Sequence, residues 1–300
     1  MYQPFIPQNK AQFKWLVYPW FWGISILPLW ILNVISYAIY FILYRLFKYR
    51  VRVVRENLAH AFPHLSIKEQ SIIENAYYRH LADLFVETIK GLNLDSKSVK
   101  QYVKLENNDL LESFYQSKQS ALIVLSHCGN WEWSCIAASL YTPMPFYVVY
   151  KPLKNPGFNS FMYQLRSKTG SKPIAMNETL RMVSKNSDIP FFLAMVGDQN
   201  PGNVNQVYWN QFLNQETAFL NGPAKISLKN KIPIIYLKSR KIKRHHYVLT
   251  PELIVDFNNY QDLDSQKIMD KIVKSIEDEI LAQPEIWLWS HRRWKHKRNK

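Results

Sequence analysis

The stretch ALIVLSHCGNWE, residues 121–132, decides the fold that this sequence predicts. Its first five residues form a short apolar run, which is typical of a strand buried on both faces of a sheet. A histidine, a glycine and an asparagine follow, and a helical pattern then begins. In open α/β sheets, reactive groups gather where strands end and helices begin. The stretch therefore predicts a buried strand, a turn that presents His127, and a helix starting near Asn130.

The same alternation extends on both sides of this stretch. Buried strands are predicted over residues 121–125, 145–150, 191–196 and 232–237. Helices are predicted after Asn130 and over residues 158–168, 217–229 and 266–282. Upstream, Ser66 and Glu69 form a capping box that opens a long helix ending near Gly91. We therefore predict an α/β fold, a mixed and largely parallel sheet flanked by helices on both faces.

A long uncharged segment, residues 16–44, precedes this body. A helix of about 20 apolar residues is enough to cross a bilayer, although Pro19 and Pro28 predict a break or kink. More basic residues follow the segment than precede it, which places the rest of the chain in the cytoplasm. We predict a membrane anchor over residues 1–50 and a catalytic domain over residues 51–300. A kinked hairpin in one leaflet and a buried helix of a soluble domain are the alternatives.

The formal net charge of +15 favours an acidic partner, such as an anionic membrane surface, an acidic protein or nucleic acid. The sequence contains no helix-turn-helix, zinc-finger or RNP-type pattern, so nucleic acid is not the predicted partner. The basic tail, residues 291–300, is predicted to contact phosphorylated headgroups or an acidic carrier protein. Cys128 and Cys135 are too close for a disulfide framework and lack the spacing of a metal site.

The turn after the first quoted strand carries a candidate acid–base pair. A histidine can act as a base near neutral pH because its unperturbed pKa is about 6.5. A helix that begins near Asn130 is expected to bring Glu132 back beside the His127 imidazole, where a carboxylate fixes the ring tautomer. Cys128 adjoins the histidine and is an alternative thioester-forming nucleophile. Neighbouring side chains at a strand end usually point apart, which disfavours that alternative.

SHCGNWE, residues 126–132, resembles the HxxxxD/E block of the glycerolipid-type acyltransferases. It is most similar to the form in the late acyltransferases of lipid A biosynthesis, the lauroyl/myristoyl transferases. Further similar stretches are RVVRENL (52–58), AFP (61–63), YKP (150–152), NP (155–156), Arg166, GDQ (197–199), ET (216–217), GPA (222–224), WLW (287–289) and HRRWK (291–295). Two departures are Cys128, directly after the histidine, and an Asn/Gln-rich segment over residues 200–215.

The resemblance implies transfer of a fatty acyl group from acyl carrier protein to a hydroxyl of a membrane-bound lipid A precursor. It places the protein at the bacterial inner membrane, single-pass or monotopic, with its catalytic domain in the cytoplasm. It implies no metal, and no cofactor apart from the carrier-bound acyl chain.

In this family pattern His127 is the general base and Glu132 its orienting carboxylate. The predicted substrate-binding residues are Asn130, Tyr150, Lys151, Arg166, Asp198, Gln199 and Gly222. Among these, Arg166 is the candidate that steadies an oxyanion or a substrate phosphate. The alternatives are another lipid acceptor, such as an aminolipid or a glycolipid, and a non-catalytic basic membrane protein that binds acidic partners.

Overall fold

A computed structural model describes residues 18–186, 188–202, 204, 207–258 and 262–298 of the chain. The helices are α1 (Tyr18–Ile26), α2 (Leu29–Tyr40), α3 (Val51–Ala61), α4 (Ile67–Lys90), α5 (Ser96–Tyr102), α6 (Asp109–Gln116), α7 (Trp131–Ala138), α8 (Pro156–Ser167), α9 (Thr179–Lys185), α10 (Gly222–Asn230) and α11 (Ser265–Ala282). The strands are β1 (Val103–Leu105), β2 (Ala121–Leu125), β3 (Phe146–Tyr150), β4 (Lys172–Ala175), β5 (Phe192–Val196), β6 (Val207–Phe212), β7 (Gln215–Leu220), β8 (Ile234–Lys243) and β9 (His246–Val255).

Seven strands form one sheet in the order β1-β9-β8-β2-β5-β3-β4, and β6 and β7 form a separate hairpin. Only β8 and β9 pair antiparallel within the large sheet. Alternate residues of β2 face opposite ways: Leu122 and Val124 pack with α11, whereas Ile123 and Leu125 pack with α7 and α8. This two-sided burial explains the unbroken apolar run, and it confirms the predicted mixed, largely parallel sheet flanked by helices.

The predicted helix over residues 217–229 is wrong at its beginning. Residues 207–220 pair as the β6–β7 hairpin, and the helix starts only at Gly222 with Pro223 in its first turn. The turn residues Leu213 and Asn214 both have positive φ, as a tight two-residue hairpin turn requires. By contrast, the Ser66–Glu69 capping box is present at the start of α4 as predicted.

The uncharged N-terminal segment forms two helices instead of one. Pro28 separates α1 from α2, and α2 continues through a π-helical turn, Phe41–Leu46. Leu29–Leu46 is one stretch, within the described residues, that is long and apolar enough to cross a membrane. The segment's first two residues, 16 and 17, lie outside the described residues, as do Lys10 and Lys14, the basic residues that precede the segment.

The basic C-terminal tail packs against the body at Arg293 and Trp294, whereas Arg292, Lys295, Lys297 and Arg298 are exposed and their predicted contact with headgroups or a carrier protein stays a prediction. Arg293 is buried and donates to the carbonyl of Ala218, with its guanidinium over the Phe219 ring. Trp294 donates its indole N–H to Thr217. A buried arginine that is bonded to the β6–β7 hairpin is not available to a lipid headgroup.

Candidate active site

Two neighbouring parallel strands deliver the central pair of the site. The register of β2 and β5 aligns Leu125 with Val196, so His127 and Asp198 each stand two residues beyond the paired ends. Nδ1 of His127 lies 2.5 Å from Oδ1 of Asp198, and the His127 amide donates to Oδ2 at 2.9 Å. The indole N–H of Trp287 also donates to Oδ2, at 2.6 Å. The sequence-predicted residues His127 and Asp198 thus form a direct pair.

The surroundings of Asp198 keep this buried carboxyl ionised. Burial alone would raise its pKa, but charge interaction with His127 and the bonds from His127 and Trp287 lower the pKa to about 2. An ionised acceptor on Nδ1 places the proton of a neutral imidazole there. Nε2 then carries the free lone pair, and the side-chain amide of Gln199 lies 2.8 Å from it. The ring therefore presents Nε2 as a base, and Gln199 holds the place that a substrate hydroxyl can take.

The expected contact between Glu132 and the imidazole is wrong. Glu132 instead forms a bidentate ion pair with Arg166 of α8, whose Nε and Nη2 lie 2.7 and 2.5 Å from its two oxygens. The reason lies at the start of α7, which is capped by Asn130. With the helix starting there, Trp131 packs against the His127 ring, at 4.9 Å between ring centres, and Glu132 points toward α8. Asp198, predicted as a substrate-binding residue, is the carboxylate that orients the histidine.

Arg166 is partly buried, and its guanidinium lies 5.7 Å from the centre of the Tyr150 ring. Burial would lower the pKa of Arg166, but the charge of Glu132 and its hydrogen bonds raise it. A guanidinium that is held ionised in a fixed orientation can recognise an anionic group beside the histidine.

Asn130 has a structural place in this site. Its Oδ1 accepts from the Trp133 amide at 2.9 Å, and its Nδ2 donates to Glu87 at 2.8 Å. Both ends of the amide are therefore used within the protein, and the structure does not place Asn130 among the substrate-facing residues. Next to it, Gly129 has a φ of +60°, and a Cβ there would lie 2.8 Å from Ser239 Oγ. The turn requires glycine for both reasons.

Beside this pair a cavity of about 700 Å³ opens toward the carboxyl ends of the strands. The predicted site residues on its wall are His127, Glu132, Tyr150, Lys151, Arg166, Gln199 and Gly222. Apolar side chains form much of the remaining wall, among them Val148, Met195, Leu220, Ile226 and Leu288. A long apolar group fits such a wall, with the basic nitrogen and the guanidinium at its polar end.

The alternative nucleophile, Cys128, does not line this cavity. It is buried and forms an antiparallel bridge with Trp287. Burial raises the pKa of its thiol well above the usual value, which disfavours the thiolate that a thioester route requires. Glu279 lies behind it, bonded to Ser126 and Tyr236, and burial raises the Glu279 pKa to about 7.

Sequence reasoning missed Glu87 and Trp287 as supports of this site. Glu87 accepts from both Asn130 and Tyr247, and lies in the last turn of α4 without a local motif. Trp287 belongs to a stretch already singled out by resemblance, but its bond to Asp198 needs the fold. Both contacts join residues far apart in the chain, so no spacing pattern could have predicted them.

The chain matches the family model described as bacterial lipid A biosynthesis acyltransferase over residues 6–296. It is 24% identical over 255 residues to the lipid A biosynthesis palmitoleoyltransferase of Escherichia coli (strain K12), and this alignment covers 83% of this chain and 79% of the relative. It is also 24% identical over 248 residues to a lipid A biosynthesis acyltransferase of Haemophilus influenzae (strain ATCC 51907 / DSM 11121 / KW20 / Rd), which covers 82% of this chain and 78% of the relative.

Proposed function

Since the chain belongs to the bacterial lipid A biosynthesis acyltransferases, we propose that it moves a fatty acyl chain from acyl carrier protein to a hydroxyl of a lipid A precursor. Family membership confirms the resemblance found in the sequence and the acyltransferase class. The observation that carries the proposal is the His127–Asp198 pair at the wall of an apolar cavity of about 700 Å³.

In the proposed reaction the acceptor hydroxyl replaces the Gln199 amide at Nε2 of His127. The imidazole takes the hydroxyl proton while the oxygen attacks the thioester carbonyl of the donor. The tetrahedral intermediate then collapses, the C–S bond breaks, and the carrier thiol leaves with a proton from the imidazolium. Asp198 stabilises the charged imidazolium in between, because its carboxylate stays bonded to Nδ1.

The Glu132–Arg166 ion pair has a different proposed role from the one that the sequence predicted. A bidentate pair fixes the plane of the guanidinium, and Arg166 then presents its remaining N–H groups to the cavity. We assign to Arg166 a substrate phosphate or the oxyanion that forms at the thioester carbonyl. Glu132 acts through Arg166, as a positioning residue.

The proposed donor and location follow from charge. The chain carries +15 overall, and an acyl carrier protein is acidic, so opposite charges favour their encounter. We place the protein at the inner membrane with its cavity on the cytoplasmic side, where the basic residues after the apolar segment are expected. Tyr150 and Lys151 lie on the cavity wall and are assigned to the bound acceptor.

The experiment compares purified full-length protein with two histidine variants in an assay of acyl transfer from labelled acyl carrier protein to a lipid A precursor. His127→Ala should lower kcat by ~10²–10⁴-fold, the usual contribution of a general base. His60→Ala, at an exposed histidine of α3, should keep normal turnover. Replacing the carrier by coenzyme A tests the donor, and near-normal turnover of His127→Ala would exclude the proposed mechanism.

A further inference from the structure

The inner face of α2 is bonded to the catalytic body by polar side chains. Ser36 donates to Oδ1 of Asp83 at 2.7 Å, and this bond is buried. Near the start of the helix, Oδ1 of Asn33 lies 2.6 Å from Nε2 of His245 in the β8–β9 turn. In a helix surrounded by lipid tails such polar side chains are unfavourable, because the hydrocarbon offers no hydrogen-bond partners.

These contacts continue along α2 and the π-helical turn that follows it. Asn75 donates to the Tyr40 hydroxyl at 3.1 Å, and Tyr44 stacks on Tyr78 at 4.5 Å between ring centres. The partner on α4 moves from Asp83, opposite Ser36, back to Asn75, opposite Tyr40, so the two helices run antiparallel. The contacts from Asn33 to Tyr44 extend over about 16 Å at 1.5 Å per residue. The inner face therefore rests on α4 over most of its length.

Charged groups stand directly behind this face. Asp83 pairs with Arg244 at 2.6 Å and with Lys241 at 3.4 Å, and His245 lies 2.7 Å from Glu87. If α2 crossed a bilayer in this arrangement, these groups would lie at the depth of the hydrocarbon. Charged side chains at that depth are rare because they are costly to bury there.

Both ends of α2 are held by the same body. Before it, the ammonium of Lys90 donates to the carbonyls of Ser25 and Leu27, at 2.9 and 3.0 Å. After it, Tyr78 donates to the Tyr49 carbonyl at 2.6 Å. A helix that crosses a membrane must separate its two ends by the thickness of the bilayer. The two ends of α2 lie instead along one side of the catalytic body.

The outer face of α2, defined by Trp30, Val34, Tyr37 and, at the start of the π-helical turn that continues the helix, Phe41, is apolar and more than half exposed at each residue. Basic residues follow it, at positions 45, 48 and 50, and none of residues 18–44 is acidic. This pairing of exposed aromatics with positive charge fits an anionic lipid surface.

Helix α1, which directly precedes α2, contacts α8 beside the cavity mouth. Phe21 of α1 contacts Phe161 of α8 at 5.5 Å between ring centres, and Phe161 stacks on the exposed Phe158 at 5.7 Å. We define the mouth rim as Leu153, Phe158 and Leu180. All three are exposed apolar residues, and Lys151 and Lys154 lie among the cavity residues beside them. The rim thus repeats the composition of the outer face.

We propose that the protein is monotopic, with α2 in the plane of the membrane and its outer face and mouth rim embedded in one leaflet of anionic phospholipid. The inner face stays on α4, so no segment from α1 to α11 passes through the bilayer. This arrangement brings the cavity mouth to the leaflet, and a lipid acceptor enters without leaving the membrane. The entry of the acceptor rests on the proposed function; the placement of α2 does not.

The test measures the membrane depth of nitroxide labels in the full chain. Trp30, Val34, Tyr37 and Phe41 are replaced by cysteine one at a time, labelled, and reconstituted in vesicles of phosphatidylethanolamine and phosphatidylglycerol. Collision with oxygen and with a polar nickel complex then gives each depth. An in-plane helix should give four depths that agree within about one helical turn, ~5 Å. A crossing helix should give depths that change steadily, by ~16 Å between the first label and the last.

Labels at Leu153→Cys and Phe158→Cys test the rim, and both should report lipid contact. The matched control is Leu281→Cys on α11, which is also exposed but covers the opposite face of the sheet, and it should report water. The unsubstituted chain measures any labelling of the two buried native cysteines.

Three results would overturn the proposal: a steady change of depth along α2, rim labels in water, or dipolar broadening without lipid contact, which would mean that a second copy covers the face. The same labels in the His127→Ala background separate the two proposals. Unchanged depths in an inactive variant leave the placement standing on its own.

Discussion

Replacing Asp198 by asparagine should invert the proton arrangement of the histidine while leaving its position nearly unchanged. Oδ2 of Asp198 accepts from two N–H groups, the His127 amide and the Trp287 indole. An asparagine must therefore place its carbonyl oxygen at that position and its NH₂ group opposite Nδ1 of the ring. The amide then donates to Nδ1, and the neutral imidazole carries its proton on Nε2. A protonated Nε2 cannot take a proton from the acceptor.

The expected loss in kcat for Asp198→Asn is ~10³–10⁴-fold, close to removal of the base itself, because the wrong tautomer leaves no lone pair at the reaction centre. The stability loss can be bounded separately. A pKa of about 2 in the folded chain, against ~3.9 when unfolded, corresponds to about 2–3 kcal/mol at neutral pH. The folded pKa is the lower one, so this stabilisation is present above pH ~4 and is lost as the pH falls through about 2.

The assay is acyl transfer under saturating donor and acceptor, with Tm measured on the same preparations. The decisive comparison is the double variant with His127→Ala, in which Asp198→Asn should cause little further loss, since it acts through the ring. Effects that multiply in the double variant, or a kcat for Asp198→Asn within threefold of normal, would refute the tautomer argument.

Three further predictions concern the neighbouring groups. Glu132→Gln should raise KM for the acceptor more than it lowers kcat, because it frees Arg166 and leaves the base intact. A loss of kcat as large as that of Asp198→Asn, with an unchanged KM, would contradict this. Cys128→Ser should retain turnover within about tenfold, and intact-protein mass spectrometry should find no acyl adduct at residue 128. In the unsubstituted protein the Glu279 pKa is raised to about 7, so on raising the pH the unfolded chain releases this proton before the folded chain does. The free energy of unfolding should therefore fall by ~3 kcal/mol between pH ~4 and 7. Glu279→Gln should remove this dependence of stability on pH. Denaturant unfolding at both pH values measures the slope, and an unchanged slope in the variant would show that another group causes it.

Much of the fold could be predicted because strands buried on both faces of a sheet are recognisable in the sequence as short apolar runs. All four predicted strands occur: three lie within one residue of their expected bounds, whereas the fourth, predicted over residues 232–237, begins at Ile234 and extends to Lys243. The hairpin over residues 207–220 could not be predicted in the same way. Its strands are half-buried and rich in Asn and Gln, and its turn contains a leucine in a conformation that glycine or asparagine usually adopts.

The site was predictable in its members but not in its pairing. The sequence indicated His127, Glu132, Arg166, Asp198 and Gln199, and the structure brings all five to one end of the sheet. Local spacing suggested that the nearest carboxylate would serve the histidine. The partner is instead set by the register of two adjacent parallel strands, which is a property of the sheet and not of either segment.

The C-terminal segment shows why the resemblance extended beyond the reacting groups. Ile286 accepts from the Gly129 amide, and Trp287 bridges to Cys128 while its indole holds Asp198. The same segment therefore fixes the turn that carries the histidine and the carboxylate that orients it. Two tryptophans and one arginine near the chain end are buried because a segment that supports both partners must itself lie inside the protein. Positive charge near the C-terminus is thus partly structural, since Arg293 is buried against the β6–β7 hairpin.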